Sequence, residues 1–493
     1  MTKKFIPALI VVVSVILVMA GCGYSPAQGH RRGAVPGQPG QPPGSRPNFV
    51  FVLTDDLALN LISRMPHVRA LENAGSTMSR YYVVDSLCCP SRAAIFTGEY
   101  PHDDGVFTNT GSDGGYATYN RKADPPKSFA VALQKSGYRT AMMGKYLNGY
   151  APADQAPPGW DEWDVTGNGY PEFNYTLNEN GTLRHFGHDP KSYLTDVLSA
   201  KAGSFINSAA ASGSPFMLEV ATFAPHAPYT PAPRYKGVAG TVAYPKTVAY
   251  NRLPKNPPSW LAGRPPLTAA QKQKITVSYR MRVEADLAVD DLIGHLEARL
   301  RAAGVARNTY FIFSSDNGYH MGEYRLMPGK QTAFDTDIHV PLIVSGPGVP
   351  AGHVISALAS NIDLNPTFRR LAGLHVPANV DGHSLVGLWH GQVPANWRRS
   401  ILVEHHGPNN AAGDPDRQAA ASANPPSYEA VRTANALYVL YASGKQEYYD
   451  TAQDPLELDN IAAAGVPASL KKALAALMNC HSGATCWAAA HRR

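Results

Sequence analysis

Five short apolar runs decide what this chain can fold into: FVFVL (49–53), TAMM (140–143), FMLEVA (216–221), YFIFS (310–314) and PLIVS (341–345). Each is four to six residues long and most are followed by polar residues or turn formers, the pattern of buried strands. Helical stretches lie between them, so from Asn48 onward the chain reads as an α/β fold, a large sheet flanked by helices.

Four of the runs lead directly into residues that can do chemistry. FVFVL leads into Asp55-Asp56, TAMM into Gly144-Lys145, FMLEVA into Ala224-Pro225-His226, and YFIFS into Ser315-Asp316-Asn317-Gly318. Ligands of open α/β sheets bind beyond the carboxyl ends of the strands, so these groups are expected to converge on one crevice. Asp55, Asp56, Asp316 and Asn317 form an all-oxygen donor set. Three converging aspartates repel one another unless a cation joins them. Oxygen-only ligation points to Ca²⁺ or Mg²⁺ rather than to Zn²⁺. Taken singly, each pair is an ordinary turn; position after a buried strand favours the metal.

From about residue 396 the texture changes. SYEAVRT, ALYVLYA and KQEYYD are short, aromatic and closely spaced, and predict a small antiparallel sheet closed by a helix over ASLKKALAALM. At the other end, MTKKFIPALIVVVSVILVMAGC has two lysines, a short apolar run and small residues before Cys22, an export signal. Met19-Ala20-Gly21-Cys22 resembles a bacterial lipoprotein cleavage box, which would put a lipid on Cys22 and anchor the chain to the membrane; a plain secretory signal or an uncleaved anchor is the alternative. Residues 23–47 are rich in Gly, Pro and Gln, a flexible tether. The expected division is signal peptide 1–21, tether 22–47, catalytic domain 48–395 and C-terminal subdomain 396–493, located outside the cytoplasm as a membrane lipoprotein or secreted protein. Loops within 105–125 and 150–190 are expected to wall the pocket.

Charge says little about partners: 44 basic against 38 acidic residues give +6, with no basic run interleaved with aromatics, so a nucleic-acid partner is not expected. Cysteine says more. Of five, Cys480 and Cys486 are spaced for a small disulfide in an oxidising compartment. Cys88 and Cys89 remain in SLCCPSRAAIFTGEY, and neighbours seldom bond to each other. Pro90 suits a first helical turn and Gly98 the residue past the end. Cys88 would then sit at a helix N-terminus with Arg92 one turn deeper, facing the same spot. A thiolate nucleophile and a buried structural pair both fit this local pattern.

Cys88-Cys89-Pro90-Ser91-Arg92, with Thr97-Gly98 following, resembles the sulfatase signature Cys-x-Pro-Ser-Arg…Thr-Gly. The resemblance runs from Asn48 to about Ala462 and takes in GKYLNGY (144–150), FAPHAPY (223–229), DNGYHMGE (316–323) and MPGKQTAF (327–334). It implies an alkaline-phosphatase-like sheet and an enzyme that hydrolyses sulfate esters. The double cysteine, GKYLN and DNGYHMGE are most similar to the N-acetylglucosamine-6-sulfatase branch and related bacterial arylsulfatases. By the same resemblance, Cys88 is converted to formylglycine by a formylglycine-generating enzyme and serves as nucleophile and further metal ligand. Asp55, Asp56, Asp316 and Asn317 hold Ca²⁺, Arg92 holds the formylglycine hydrate, Lys145 and Lys330 bind sulfate oxygens, and His226 stands beside the leaving oxygen. Asn109 and His320 are further pocket candidates. The family's usual histidine two residues after the lysine is absent, since Leu147 and Asn148 follow Tyr146. The implied substrate is a sulfated small molecule or glycan. Alternatives are a phosphodiesterase or phosphonate monoester hydrolase on the same scaffold, and a non-catalytic binder of anionic glycans.

Overall fold

A computed structural model describes residues 46–492 except 123 and 420. The expected signal peptide, Cys22 and nearly all of the tether lie outside the described residues. In chain order the strands are β1 (Asn48–Thr54), β2 (Ser76–Met78), β3 (Tyr81–Tyr82), β4 (Arg139–Lys145), β5 (Glu162–Thr166), β6 (Tyr175–Glu179), β7 (Thr182–Phe186), β8 (Phe216–Ala221), β9 (Thr309–Ser315), β10 (Leu342–Ser345), β11 (His353–Ile355), β12 (Ala359–Ser360), β13 (Ser400–His405), β14 (Tyr428–Thr433), β15 (Ala436–Tyr441) and β16 (Gln446–Asp450). Ten of them form one mixed sheet in the order β11-β2-β10-β9-β1-β8-β4-β5-β6-β7. Its centre, β9-β1-β8-β4-β5, is parallel throughout, and antiparallel strands extend both edges.

All five predicted runs are strands of this sheet. The burial of β1 explains why its sequence is uniformly apolar rather than alternating. Phe49, Phe51 and Leu53 enter one core with Phe129, Leu133 and Phe368, while Val50 and Val52 enter the core on the opposite face with Leu198, Val289 and Leu292. Truncating such a residue, Phe51→Ala for example, costs about 3–5 kcal/mol. On the Val50 side, Ile275, Tyr279, Val283, Ile293, Leu296 and Leu300 bury a stripe of the long helix Ala269–Ala302. That helix starts where Thr268 and Gln271 satisfy each other's backbone N–H groups in a capping box.

β13-β14-β15-β16 form a separate antiparallel sheet, the C-terminal sheet expected from the sequence. Leu402, Val431 and Tyr438 pack with Leu470, Leu474 and Leu477 of the helix Ala468–Leu477, and also with Ala94 of the helix that begins at Cys88. Cys480 and Cys486 are disulfide-bonded, as their spacing suggested, and Cys486 lies within a short helix, Gly483–Ala490.

The expectation of loops over residues 150–190 is corrected: β5, β6 and β7 lie there. β6 and β7 are a hairpin turned at Asn180-Gly181, both with positive φ (52° and 90°), so the Asn-Gly pair was the available signal. Residues 115–121, in the other expected loop, are helical.

Candidate active site

β1 and β9 are parallel neighbours with Thr54 opposite Ser315, so Asp55-Asp56 and Asp316-Asn317 leave the sheet side by side. The turn is sharp, with Asp56 in the left-handed region (φ 66°), which a short polar side chain tolerates better than most. The Asp56 N–H donates to Asp316 Oδ1 (3.2 Å), and the Asn317 side-chain amide donates to Asp56 Oδ1 (2.7 Å). All four residues are buried. β4 delivers Lys145, whose Nζ bonds Asp55 Oδ2, and the preceding Gly144 is required: a Cβ there would lie 2.0 Å from the Ala221 carbonyl oxygen. Five residues past β8 comes His226.

The helix Cys88–Thr97 ends at Gly98 in the left-handed conformation (φ 75°). Its first turn points Cys88 at the strand ends. Cys88 Sγ is 3.2 Å from Asp55 Oδ1 and 2.6 Å from Lys330 Nζ. Burial, then the charges of Asp416 and Asp55, push the Cys88 thiol well above its ordinary pKa, and Lys145 and Lys330 only partly offset them. The thiolate that a helix N-terminus suggested is therefore disfavoured. Cys89 packs in the core. One turn on, Arg92 Nε donates to Asp316 Oδ2 (2.8 Å) and Nη1 to the Lys145 carbonyl (3.0 Å). Beneath it on β8, the buried Glu219 carboxyl has no hydrogen-bond partner among the described residues; burial pushes its pKa up to about 8, opposed by Arg92.

Sequence reasoning missed Asp416. It lies between β13 and β14, buried, and gathers four side chains of the site. Its Oδ1 is 2.6 Å from both Lys330 Nζ and His226 Nε2, and its Oδ2 accepts from Asn109 (2.7 Å) and Asn148 (3.1 Å). Asp414 also accepts from Asn109 (3.2 Å). No local pattern marks DPDR as different from an exposed turn; only the identity of its distant partners does. Asn109 thus reaches the site through Asp416, whereas His320 bonds Asp337 (2.9 Å) beside the Pro328–Lys330 segment. Asn148, after the position of the missing histidine, likewise joins Asp416.

The charges support one another. Burial opposes the Lys145 and Lys330 ammonium groups, but Asp55 beside the first, and Asp416 and Asp56 beside the second, hold their pKa values well above ordinary. His226 is raised despite burial by Asp56, Asp55 and Asp416. Asp416, despite burial, is kept well below the usual range by Lys330 and His226.

The donor atoms of Asp55, Asp56, Cys88 and His226 lie within 4.8 Å of one another. Asn317 Oδ1 is buried with no donor reaching it among the described residues. Clustered carboxylates and an unsatisfied amide oxygen fit a hard divalent cation. Asp316 adjoins the group but is already bonded to Arg92 and to two backbone N–H groups, those of Asp56 and Asn317. Asp56, His226 and Asp416 open onto a cavity of about 530 Å³, whose wall includes Tyr229, Tyr319, Lys274 and Arg417.

A parallel-centred sheet with this charge cluster at its carboxyl edge is the framework of an α/β enzyme that takes an anionic ligand. Solved structures share the fold. One, in complex with its substrate D-glucosamine-2-N,6-O-disulfate, superposes with a TM-score of 0.73 at 24% identity, covering 88% of this chain and 97% of that one. A phosphonate monoester hydrolase of Agrobacterium radiobacter gives 0.65 at 22%, covering 85% and 92%. The chain belongs to the sulfatase family, whose family model matches residues 47–374; the model of the N-sulphoglucosamine sulphohydrolase C-terminal region matches 322–482. It is 35% identical to human N-acetylglucosamine-6-sulfatase over 90% of this chain and 86% of the relative, and 29% identical to an arylsulfatase of Volvox carteri over 90% and 75%. It is an enzyme of sulfate ester hydrolysis.

Proposed function

We propose that this sulfatase removes a sulfate ester from a sulfated sugar, with residue 88 matured to formylglycine and a divalent cation, Ca²⁺ before Mg²⁺, held by Asp55, Asp56, Asp316, Asn317 and residue 88. The observation that carries the reading is the placement of Cys88 Sγ between Asp55 and Lys330 at a helix N-terminus. The cation would lower the pKa of the nucleophilic hydroxyl and polarise the sulfate, and the hydrated aldehyde would supply that hydroxyl with a second one through which the ester can be released. The rest is the work of the chain's own side chains. Lys145 and Lys330 present ammonium groups where sulfate charge builds up, in a buried setting that strengthens their effect. Arg92 fixes Asp316 and so the metal-facing edge of the site. His226, whose pKa its acidic neighbours raise, would donate a proton to the leaving sugar oxygen, and Asp416 orients its Nε2.

Sugar 6-sulfates are favoured by the relatives above 30% identity that are N-acetylglucosamine-6-sulfatases. Residues 48–395 would form the catalytic part and 396–493 a subdomain that contributes Asp416. Maturation by a formylglycine-generating enzyme, export, and a lipid on Cys22 complete the proposal. The test has two parts. Peptide mass analysis of residue 88 in protein from the native host should find the aldehyde. Turnover of 6-sulfated N-acetylglucosamine should exceed that of an aryl phosphate diester; faster diester turnover would transfer the chain to the phosphohydrolases, and unmodified cysteine with no turnover would leave a glycan binder.

A further inference from the structure

A second hollow, of about 470 Å³, adjoins the active-site cavity, and Gln271 and Ala421 line both. Its wall carries Trp260, Arg264 and Arg325, and no carboxylate among the described residues. Trp260 is half-buried, and its indole N–H donates to the Tyr441 hydroxyl of β15 (2.7 Å), so the ring is fixed while part of it stays open to the hollow. Arg264 and Arg325 are half-buried too, and each is held in place by one end of its fork. Arg325 Nη1 donates to the Arg264 carbonyl (2.7 Å), and Arg264 Nη1 donates to the Ala421 carbonyl (3.1 Å). Neither guanidinium has a carboxylate within ion-pair distance among the described residues. Burial accordingly lowers the Arg264 pKa, with no acid to offset it. Tyr324 and Arg325 both stand in the left-handed region (φ 55° and 64°), a conformation that costs energy for a residue with a side chain and clusters at ligand clamps.

The charges between the two hollows run the same way. Lys274 and Arg417, on the wall of the first cavity, also have no carboxylate partner among the described residues. The carboxylates that line that cavity, Asp56 and Asp416, are both paired with Lys330. A scissile sulfate is served by Lys145 and Lys330, so the cations farther out are surplus to it. We propose that Trp260, Arg264 and Arg325 form a subsite for a further unit of the substrate's sugar chain, one that carries an anionic group of its own, a carboxylate or a second sulfate. This rests on the sulfatase reading of the strand-end site. A guanidinium fork receives either group through parallel N–H···O bonds. The Trp260 ring offers a broad apolar face to the C–H side of the sugar. Hydroxyl groups alone would leave two half-buried positive charges without a counter-charge, so the subsite reads the charge of the chain and not its length.

The test uses short oligosaccharides that end in 6-sulfated N-acetylglucosamine and whose other units carry a carboxylate, a sulfate or no charge. Their kcat/KM on the full-length enzyme is compared with that of the 6-sulfated monosaccharide. Their Kd is measured by calorimetry on full-length Cys88→Ala in Ca²⁺, where nothing is cleaved. Chains with an anionic unit should be favoured ~10–100-fold over neutral chains in both measurements, and the carboxylate and sulfate series tell which anion fits better. Arg264→Gln with Arg325→Gln should remove most of that preference while turnover of the monosaccharide, which also reports folding, stays near wild type. Arg264→Lys with Arg325→Lys, which keeps the charge, should retain part of it. Equal Kd for neutral and anionic chains in the presence of both arginines, or a preference that survives their loss, would overturn the subsite. Absence of turnover on every sulfate ester with the Kd preference intact would count against the sulfatase reading and leave the subsite standing.

Discussion

The two halves of the active site are held in place by different means. Asp55, Asp56, Lys145, Asp316 and Asn317 stand at the ends of β1, β4 and β9, where ladder hydrogen bonds fix their spacing. Asp414 and Asp416 stand on the long connection 406–427, which side-chain hydrogen bonds fasten, some its own and some from other segments. Asp414 Oδ1 accepts the Asp416 N–H (2.9 Å), Asn109 and Asn148 grip the Asp416 carboxylate, and Gln331 and Gln418 donate to its carbonyl. The groups proposed to share one ion would need sub-ångström constancy, which a sheet supplies. Those proposed to orient an acid and meet variable sugars can sit on a loop.

Substitutions can break this contrast. The largest effect is expected at Cys88. Cys88→Ala should lower kcat by ~10³-fold or more, and Cys88→Ser should stop after one turnover, with intact mass heavier by one SO₃ group, since a serine ester has no second hydroxyl through which to leave. Next comes the strand-end half. Asp316→Asn, or a chelator, should abolish turnover, and removing a cation present at ~100 times its Kd should cost ~2.7 kcal/mol of stability in a melting experiment. Recovery with Ca²⁺ should exceed that with Mg²⁺. The loop half should be softer. His226→Ala should cost ~10²–10⁴-fold in kcat for slow leaving groups and little for a nitrophenyl sulfate. Asp416→Asn, which leaves the acid present but unoriented, should cost less on the same substrate pair, and an equal loss would place Asp416 in the scaffold half.

The smallest effect on activity concerns the sheet beneath both halves. Glu219 carries a folded pKa of about 8 against an ordinary value of 4.5, so the folded state holds a proton that the unfolded state gives up. Stability from this group is therefore present at low pH and lost as pH rises from ~4.5 to ~8. Glu219→Gln should keep near wild-type turnover and gain ~1–4 kcal/mol relative to wild type between pH 5 and pH 8, read from urea midpoints. A pH-independent difference would mean that Glu219 is ionised in the fold.

Much of this is legible in the sequence, for a physical reason. A central strand is buried on both faces, so its apolar run stands out, and the residues directly after it lie at the carboxyl edge; Asp55, Lys145 and Asp316 can be read that way. Edge strands are only partly buried, and β7, largely exposed, leaves a weak apolar signal; the Asn180-Gly181 turn carries the information instead. Asp416 is illegible because its role lies in contacts with Asn109, Asn148, His226 and Lys330, as many as 307 residues away, and no local spacing encodes them.

The burial of Cys88 also sets an order of events. With 0% of its surface exposed, and set in a helix packed on both sheets, its sulfur is out of reach of any catalyst the size of a protein once the chain has folded. The oxidation proposed for residue 88 would therefore have to occur on the extended chain, while its neighbours are still unpaired. Folding and maturation would run as a race, and a molecule that folded first would be sealed with its thiol in the core. The tight core around the centre would also make a missed modification permanent for as long as the fold lasts.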